Sequence, residues 1–211
     1  VREFECEKVP TTIYRVGGVV LKKEKVFEHH ENRILIRYTL LEAHSATTLR
    51  LRPFLAFRSV RQYTHENSQA NREYQVVDNG IKTCMYPGYP ELCMQLNKKC
   101  DFHFQPDWYR GMEYPKEQER GYAFNEDLYV PGYFEVPIKK GESIIFSAGV
   151  KEVSPRSLNK MYEKEINDSL RSIIKNDDLI MREYSRNVDA LKKQVKQVKK
   201  QCNLAVGGGI L

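Results

Sequence analysis

The sequence predicts a mainly β chain, an antiparallel two-sheet sandwich followed by two helices, and three observations predict it. From the start to about residue 149 the apolar pattern has period two, broken by turn residues. About ten strands can be marked off there, too many for one small barrel and enough for a large two-sheet sandwich. At Ser154 the period changes to a helical one.

Among the strands, residues 32–41 show the pattern best. Ile34, Ile36, Tyr38 and Leu40 fall on one face, and Arg33, Arg37 and Thr39 on the other. Leu35 and Leu41 make the second face partly apolar, which predicts a sheet covered on both sides. After the polar turn His44-Ser45-Ala46, residues 48–57 are expected as the hairpin partner, with Pro53 marking an edge or a bulge. Asp78-Asn79-Gly80 lies between two apolar runs and predicts a type I′ hairpin, because Asn-Gly readily takes positive φ. Gly17-Gly18 and the run Tyr86-Pro87-Gly88-Tyr89-Pro90 read as turns, the second followed by a strand pair at 92–97 and 101–105. Gly141 closes a last turn before an apolar strand at 143–148.

Ser154 is a good N-cap and Pro155 a good first helical residue. Beyond them Leu158, Met161, Tyr162, Ile166, Leu170, Ile173 and Ile174 recur at helical spacing. A second helix is expected from Asn176-Asp177 to about Gln201, with Tyr184, Val188, Leu191, Val195, Val198 and Cys202 on a narrower stripe. That stripe predicts a partner surface, and in its absence pairing through this helix or fraying beyond Tyr184.

Composition limits the function classes. With 211 residues and 41% apolar content the chain can bury a real core. The formal charge of +6 invites a nucleic-acid reading, but residues 185–203 alone hold six Lys/Arg and one Asp. No aromatic residue accompanies those lysines after Tyr184, so a basic nucleic-acid or scaffold role is the weakest reading. VREFECEKVP carries no signal-peptide pattern and no apolar run is long enough to span a bilayer. The five cysteines, Cys6, Cys84, Cys93, Cys100 and Cys202, have neither disulfide-framework nor zinc spacing and predict free, mostly buried thiols in a reducing, cytoplasmic setting. The sequon Asn167-Asp168-Ser169 falls in a helical pattern, where it argues little for secretion.

Residues 108–135 are dense in tyrosine, glycine and carboxylates. Sugars stack their C–H faces on rings and bind their hydroxyls to Asp, Glu, Arg or Asn. Trp108, Tyr109, Arg110, Tyr114, Glu117, Arg120 and Asp127 are therefore candidate sugar-binding residues. The alternative is a folded connection whose rings pack and whose charges pair internally. Glu126-Asp127 is a poor catalytic pair, since adjacent strand residues point to opposite faces. His29-His30 fails as a metal motif for the same reason, and neither a phosphate loop nor a nucleophile elbow occurs. No catalytic residue, metal or cofactor is assigned.

Two long strings carry a family resemblance. NRILIRYTLLEAHSATTLRLRPFLAFRSVRQYTHEN, residues 32–67, resembles the central hairpin of the N-terminal domain of archaeal and bacterial type glycogen debranching enzymes. YRGMEYPKEQERGYAFNEDLYVPGYFEVPIKKGESIIFSAG, residues 109–149, is similar to that domain's closing segment. The resemblance implies a supersandwich like those of galactose mutarotases and glucoamylase N-terminal domains, over residues 1–153, with the domain's N-terminal part missing. It implies that residues 154–211 lead towards an (α/α) catalytic barrel outside this sequence, whose acid and base hydrolyse α-1,6-linked glucose. The implied role is a non-catalytic domain that packs on the barrel and helps bind glycogen or a related α-glucan. The enzyme alternative is a free-standing aldose epimerase, with His65 as acid and Glu126 as base.

Overall fold

The computed structural model describes residues 1–6 and 9–207, with side chains described up to residue 197. Eleven strands are found among them: β1 (Glu3–Glu5), β2 (Thr11–Val16), β3 (Val19–Phe27), β4 (Arg33–Glu42), β5 (Thr47–Leu51), β6 (Tyr74–Val77), β7 (Gly80–Thr83), β8 (Leu92–Leu96), β9 (Asp101–Glu113), β10 (Asn125–Ile138) and β11 (Ser143–Gly149). A short helix, α1 (Pro115–Glu119), joins β9 to β10, and a 3-10 turn (Pro155–Ser157) leads into α2 (Leu158–Gly207). The fold is mainly β and antiparallel, as the alternation predicts. The chain forms two compact units, Val1–Ile166 and Asn167–Leu211.

The strands build two sheets, one of eight in the order β1-β2-β3-β4-β11-β8-β7-β6 and one of three in the order β5-β10-β9. Between them lies the main core, where Leu40, Ile81, Met94, Leu96, Phe134 and Ile144 are completely buried or nearly so. The other face of the large sheet is covered by Val9 and the first turns of α2: Leu158 and Tyr162 bury against Val26, Leu35 and Ile145. Residues 33–42 thus sit in a sheet covered on both sides. Arg37 meets this layer by spanning Glu24 at 2.9 Å and Glu163 at 2.8 Å while lying over the Tyr162 ring.

Strand partners differ from the sequence expectation in two places. β4 and β5 are not a hairpin: β4 pairs with β3 and β11 in the large sheet, whereas β5 crosses to the small sheet and pairs with β10. Pro53 follows the end of β5, and pairing resumes only at a single bridge between Leu55 and Tyr129. β8 and β9 likewise sit in different sheets. Both errors have one cause, since a short connection is as compatible with crossing between layers as with turning within one.

The expected hairpins are present, with a correction to one. Gly17 and Gly18, at φ 55° and 81°, join Val16 to its partner Val19 and suit a type I′ turn. At the other, Val77 pairs with Gly80, so the loop residues are Asp78 and Asn79, and of these Asn79 takes positive φ, 51°. Gly80 already belongs to β7. A Cβ there would collide with the Met94 carbonyl of β8, so close approach rather than turn geometry demands the glycine.

The two helices expected after Ser154 form one. α2 continues through Asn176 and Asp177 without a break. Neither residue is a helix breaker of the strength of Pro, and a good N-cap can also be tolerated inside a helix. Ser154 is the N-cap residue of the 3-10 turn and Pro155 opens it, but the Ser154 side chain makes no capping bond. Of the apolar stripe, Ile174, Tyr184, Leu191 and Val195 are exposed. The side chains of Val198 and Cys202 lie outside the described residues, as do the last four positions of the chain.

Candidate functional site

The tyrosine-rich segment folds as a long hairpin. β9 and β10 pair from Asn125 and Glu113 to Glu135 and Asp101, with irregularities between Glu126 and Leu128 and between Val130 and Gly132. Beside this hairpin runs the irregular segment 52–73. Leu55 and Tyr129 exchange backbone bonds of 2.8 and 3.1 Å, and the Asp127 N–H donates to the Thr64 carbonyl at 2.8 Å. The two Asp127 oxygens accept the backbone N–H groups of Glu66 and Gly111, each at 2.9 Å, which hold its carboxyl below the usual range.

The tightest fastening is an ion pair. Arg58 donates Nε to Glu126 Oε2 at 2.6 Å and Nη2 to Oε1 at 3.0 Å, while the Tyr114 hydroxyl donates to Oε1 at 2.5 Å. The Glu126 side chain is only 1% exposed. Burial pushes its carboxyl up, but the bonds from Arg58 and Tyr114 and the Arg58 charge outweigh that and hold it below the ordinary value. Tyr63 stacks on Tyr114 at 5.3 Å, and Arg58 lies over the Tyr63 ring at 4.9 Å.

Shallow cavities flank this cluster. One of about 830 Å³ is lined by Val60, Arg61, Gln62, Tyr63, Glu117 and Tyr122 among others. A second of about 440 Å³ has Phe57, Tyr63, Tyr86 and Tyr89 as its rings and Asn67 and Gln69 among its polar groups. Rings with planar amides and charges around a concavity can bind a polyhydroxylated ligand.

The sequence-predicted residues divide between this cluster and elsewhere. Tyr114 and Glu117 line a small cavity together with Arg58 and Tyr63. Trp108 is in the core, 4% exposed and edge-on to Tyr129 at 5.6 Å. Tyr109 is half exposed and lies against Phe54 at 4.9 Å. Arg110 donates to Glu66 at 2.5 Å, Arg120 pairs with Glu117, and Asp127 is taken up by backbone. Arg58, Tyr63, Tyr86, Tyr89 and Tyr122 escaped the sequence reading. One signal pointed to Arg58: Glu126 shares strand parity with Leu128 and Val130, and a carboxylate on a buried face requires a cation.

Two other expectations bear on chemistry. Cys6, Cys84, Cys93 and Cys100 are free thiols, but of these only Cys93 is fully buried, whereas Cys84 and Cys100 are half-buried and Cys6 is exposed. Burial and the neighbouring Asp101 push the Cys100 thiol up to about 11. No cluster of three metal-ligating groups is found among the described residues, and no helix there is long and apolar enough to cross a membrane.

Two antiparallel sheets packed face to face, with an ion-paired loop fastened along one hairpin, make this an antiparallel β-sandwich domain. Its sequence places it more narrowly: the family model described as glycogen debranching enzyme N terminal matches residues 1–145. The chain belongs to that family, and is a glycogen debranching enzyme N-terminal domain. No curated protein matches it.

Proposed function

We propose that this domain is non-catalytic, packs on the (α/α) barrel of its parent enzyme in the cytoplasm, and contributes the ring-lined cluster at Tyr63, Glu117 and Tyr122 to α-glucan binding. The observation that carries this is the state of the carboxylates. Glu126 is buried and bonded on both oxygens, and Asp127 accepts two backbone N–H groups, so neither is open as an acid or base, whereas the cavity beside them is lined by rings, amides and charges. The same state disfavours the epimerase alternative, because a carboxyl held low by Arg58 is a weak base at neutral pH. The free cysteines fit a reducing compartment.

Titration with maltoheptaose, followed by NMR, tests the sugar contact. Resonances of Tyr63, Glu117 and Tyr122 are expected to move at millimolar sugar. If none does, the domain's role is structural only. The exposed Leu191 and Val195 support a partner surface on α2, either the parent barrel or a second copy. Sedimentation as a monomer at 100 μM would remove the second copy, with that concentration chosen as roughly the weak-association range.

A further inference from the structure

We propose that the free edge of β5 receives one more β-strand, an extended peptide segment with apolar side chains at alternate positions and a carboxylate where it passes Lys23. A groove of about 560 Å³ runs along that edge. Its wall is the continuous run from Leu49 to Leu55, and its floor includes Tyr14, Leu21, Ile36 and Tyr38 of β2, β3 and β4. The floor residues are half-buried, because a sheet of three strands faces a sheet of eight and β5 stands where the smaller one stops.

The backbone favours a strand over a compact ligand. Pro137 pairs with Thr48, and proline has no N–H, so that pair is a non-hydrogen-bonded one. By alternation, Arg50 opposite Glu135 is also in a non-hydrogen-bonded pair. The N–H and C=O groups of Thr48 and Arg50 therefore point to the free edge, where no backbone partner meets them among the described residues. Adjacent strands lie about 4.8 Å apart and packed sheets about 10 Å, so a strand bonded there hangs over the groove floor at core spacing. Its alternate side chains would enter the groove. β5 also lacks the usual protection, having neither Pro nor Lys, and its one charge, Arg50, is engaged by Glu135.

Charge selects the occupant. The groove is lined by Lys23, Arg50 and Arg52 and by no carboxylate. Lys23 lies over the Tyr38 ring at 5.5 Å and has no ion-pair partner among the described residues. Burial and neighbouring Lys25 lower its affinity for a proton, a deficit that an incoming carboxylate would relieve.

The probe is a capped heptapeptide, Thr-Val-Thr-Val-Thr-Glu-Thr, added to the full chain and followed by NMR and amide exchange. At millimolar peptide the Thr48 and Arg50 amides are expected to shift and to exchange at least tenfold more slowly. Thr48→Pro, which deletes an outward N–H without touching a bond to β10, is expected to weaken binding at least tenfold, as is Lys23→Glu. Absence of any shift at Thr48 and Arg50 overturns the proposal. Binding that both variants leave unchanged overturns it too, since the groove would then hold side chains without pairing. Protection of these amides in a peptide-free dimer would also overturn it, by assigning the edge to a second copy. Should Thr48→Pro melt well below the parent chain, the Lys23→Glu titration and the exchange rates in the parent chain decide the matter.

Discussion

Two arginine–glutamate pairs flank β10, and they differ in almost everything but composition. At one end Arg58 grips Glu126 through both oxygens, in company with the Tyr114 hydroxyl, and the carboxylate is 1% exposed. Further along, Arg50 donates Nε and Nη2 to a single Glu135 oxygen, with side chains 57% and 28% exposed. Both arginines lie over a tyrosine ring, Arg58 on Tyr63 and Arg50 on Tyr133. Solvent separates their consequences: water can replace either partner of the outer pair, but nothing can replace Arg58 beside a carboxylate already removed from water.

The sharpest way to break the comparison is to delete one arginine at a time. Arg58→Ala is expected to lower unfolding free energy by about 3–5 kcal/mol in urea denaturation, the usual consequence of leaving a buried charge unpaired. Arg50→Ala is expected to leave the midpoint unchanged, and an equal loss in both variants would refute the distinction. Tyr114→Phe should fall between them, at about 1.5–3 kcal/mol, because it removes one hydrogen bond to a charged acceptor.

Acid separates the pairs more finely. Glu126 titrates below the ordinary glutamate value of about 4.3, so its contribution is fully present above that pH and disappears as pH falls through the folded value. In Arg58→Ala the same buried carboxyl loses its cation and its pKa should rise above the unfolded one. The variant is then expected to gain stability as pH falls from 7 to 5, while the parent chain changes little there. Parallel stability curves for the two would show that Glu126 is not the buried partner described.

What could be read from the sequence was local. The period-two pattern of residues 32–41 announces the doubly covered strand found at Arg33–Glu42, Asp78-Asn79-Gly80 a hairpin, and Ser154-Pro155 the start of helix. Pairing between distant strands could not be read this way, because side-chain alternation fixes which face is buried and is silent on which neighbour supplies the next strand. Hence β4–β5 and β8–β9 look like hairpins in the sequence, although the members of each pair lie in different sheets. The candidate site was half legible for a related reason. Tyr114 and Glu117 stand beside the ring-lined cavity, but composition could not distinguish them from Trp108, an aromatic of the same segment that is core. Tyr63, Tyr86 and Tyr89 were missed because they arrive from loops brought together only by the fold.

The crossing of the chain between layers after β4 has a consequence for the order of synthesis. Arg50 meets Glu135 across 85 residues of chain, and β4 closes on β11 at a comparable separation. A ribosome delivering residues one by one would release β4 with only its β3 edge paired, and β5 with no partner at all, long before β11 and β10 are made, and contacts at such separation form slowly. Until β10 and β11 emerge, the nascent chain carries two apolar strands with open edges, the state in which a chaperone's grip matters most. Arrival of the single turn at Gly141 would then complete both sheets almost together, making this region the expected last step of a cooperative closure.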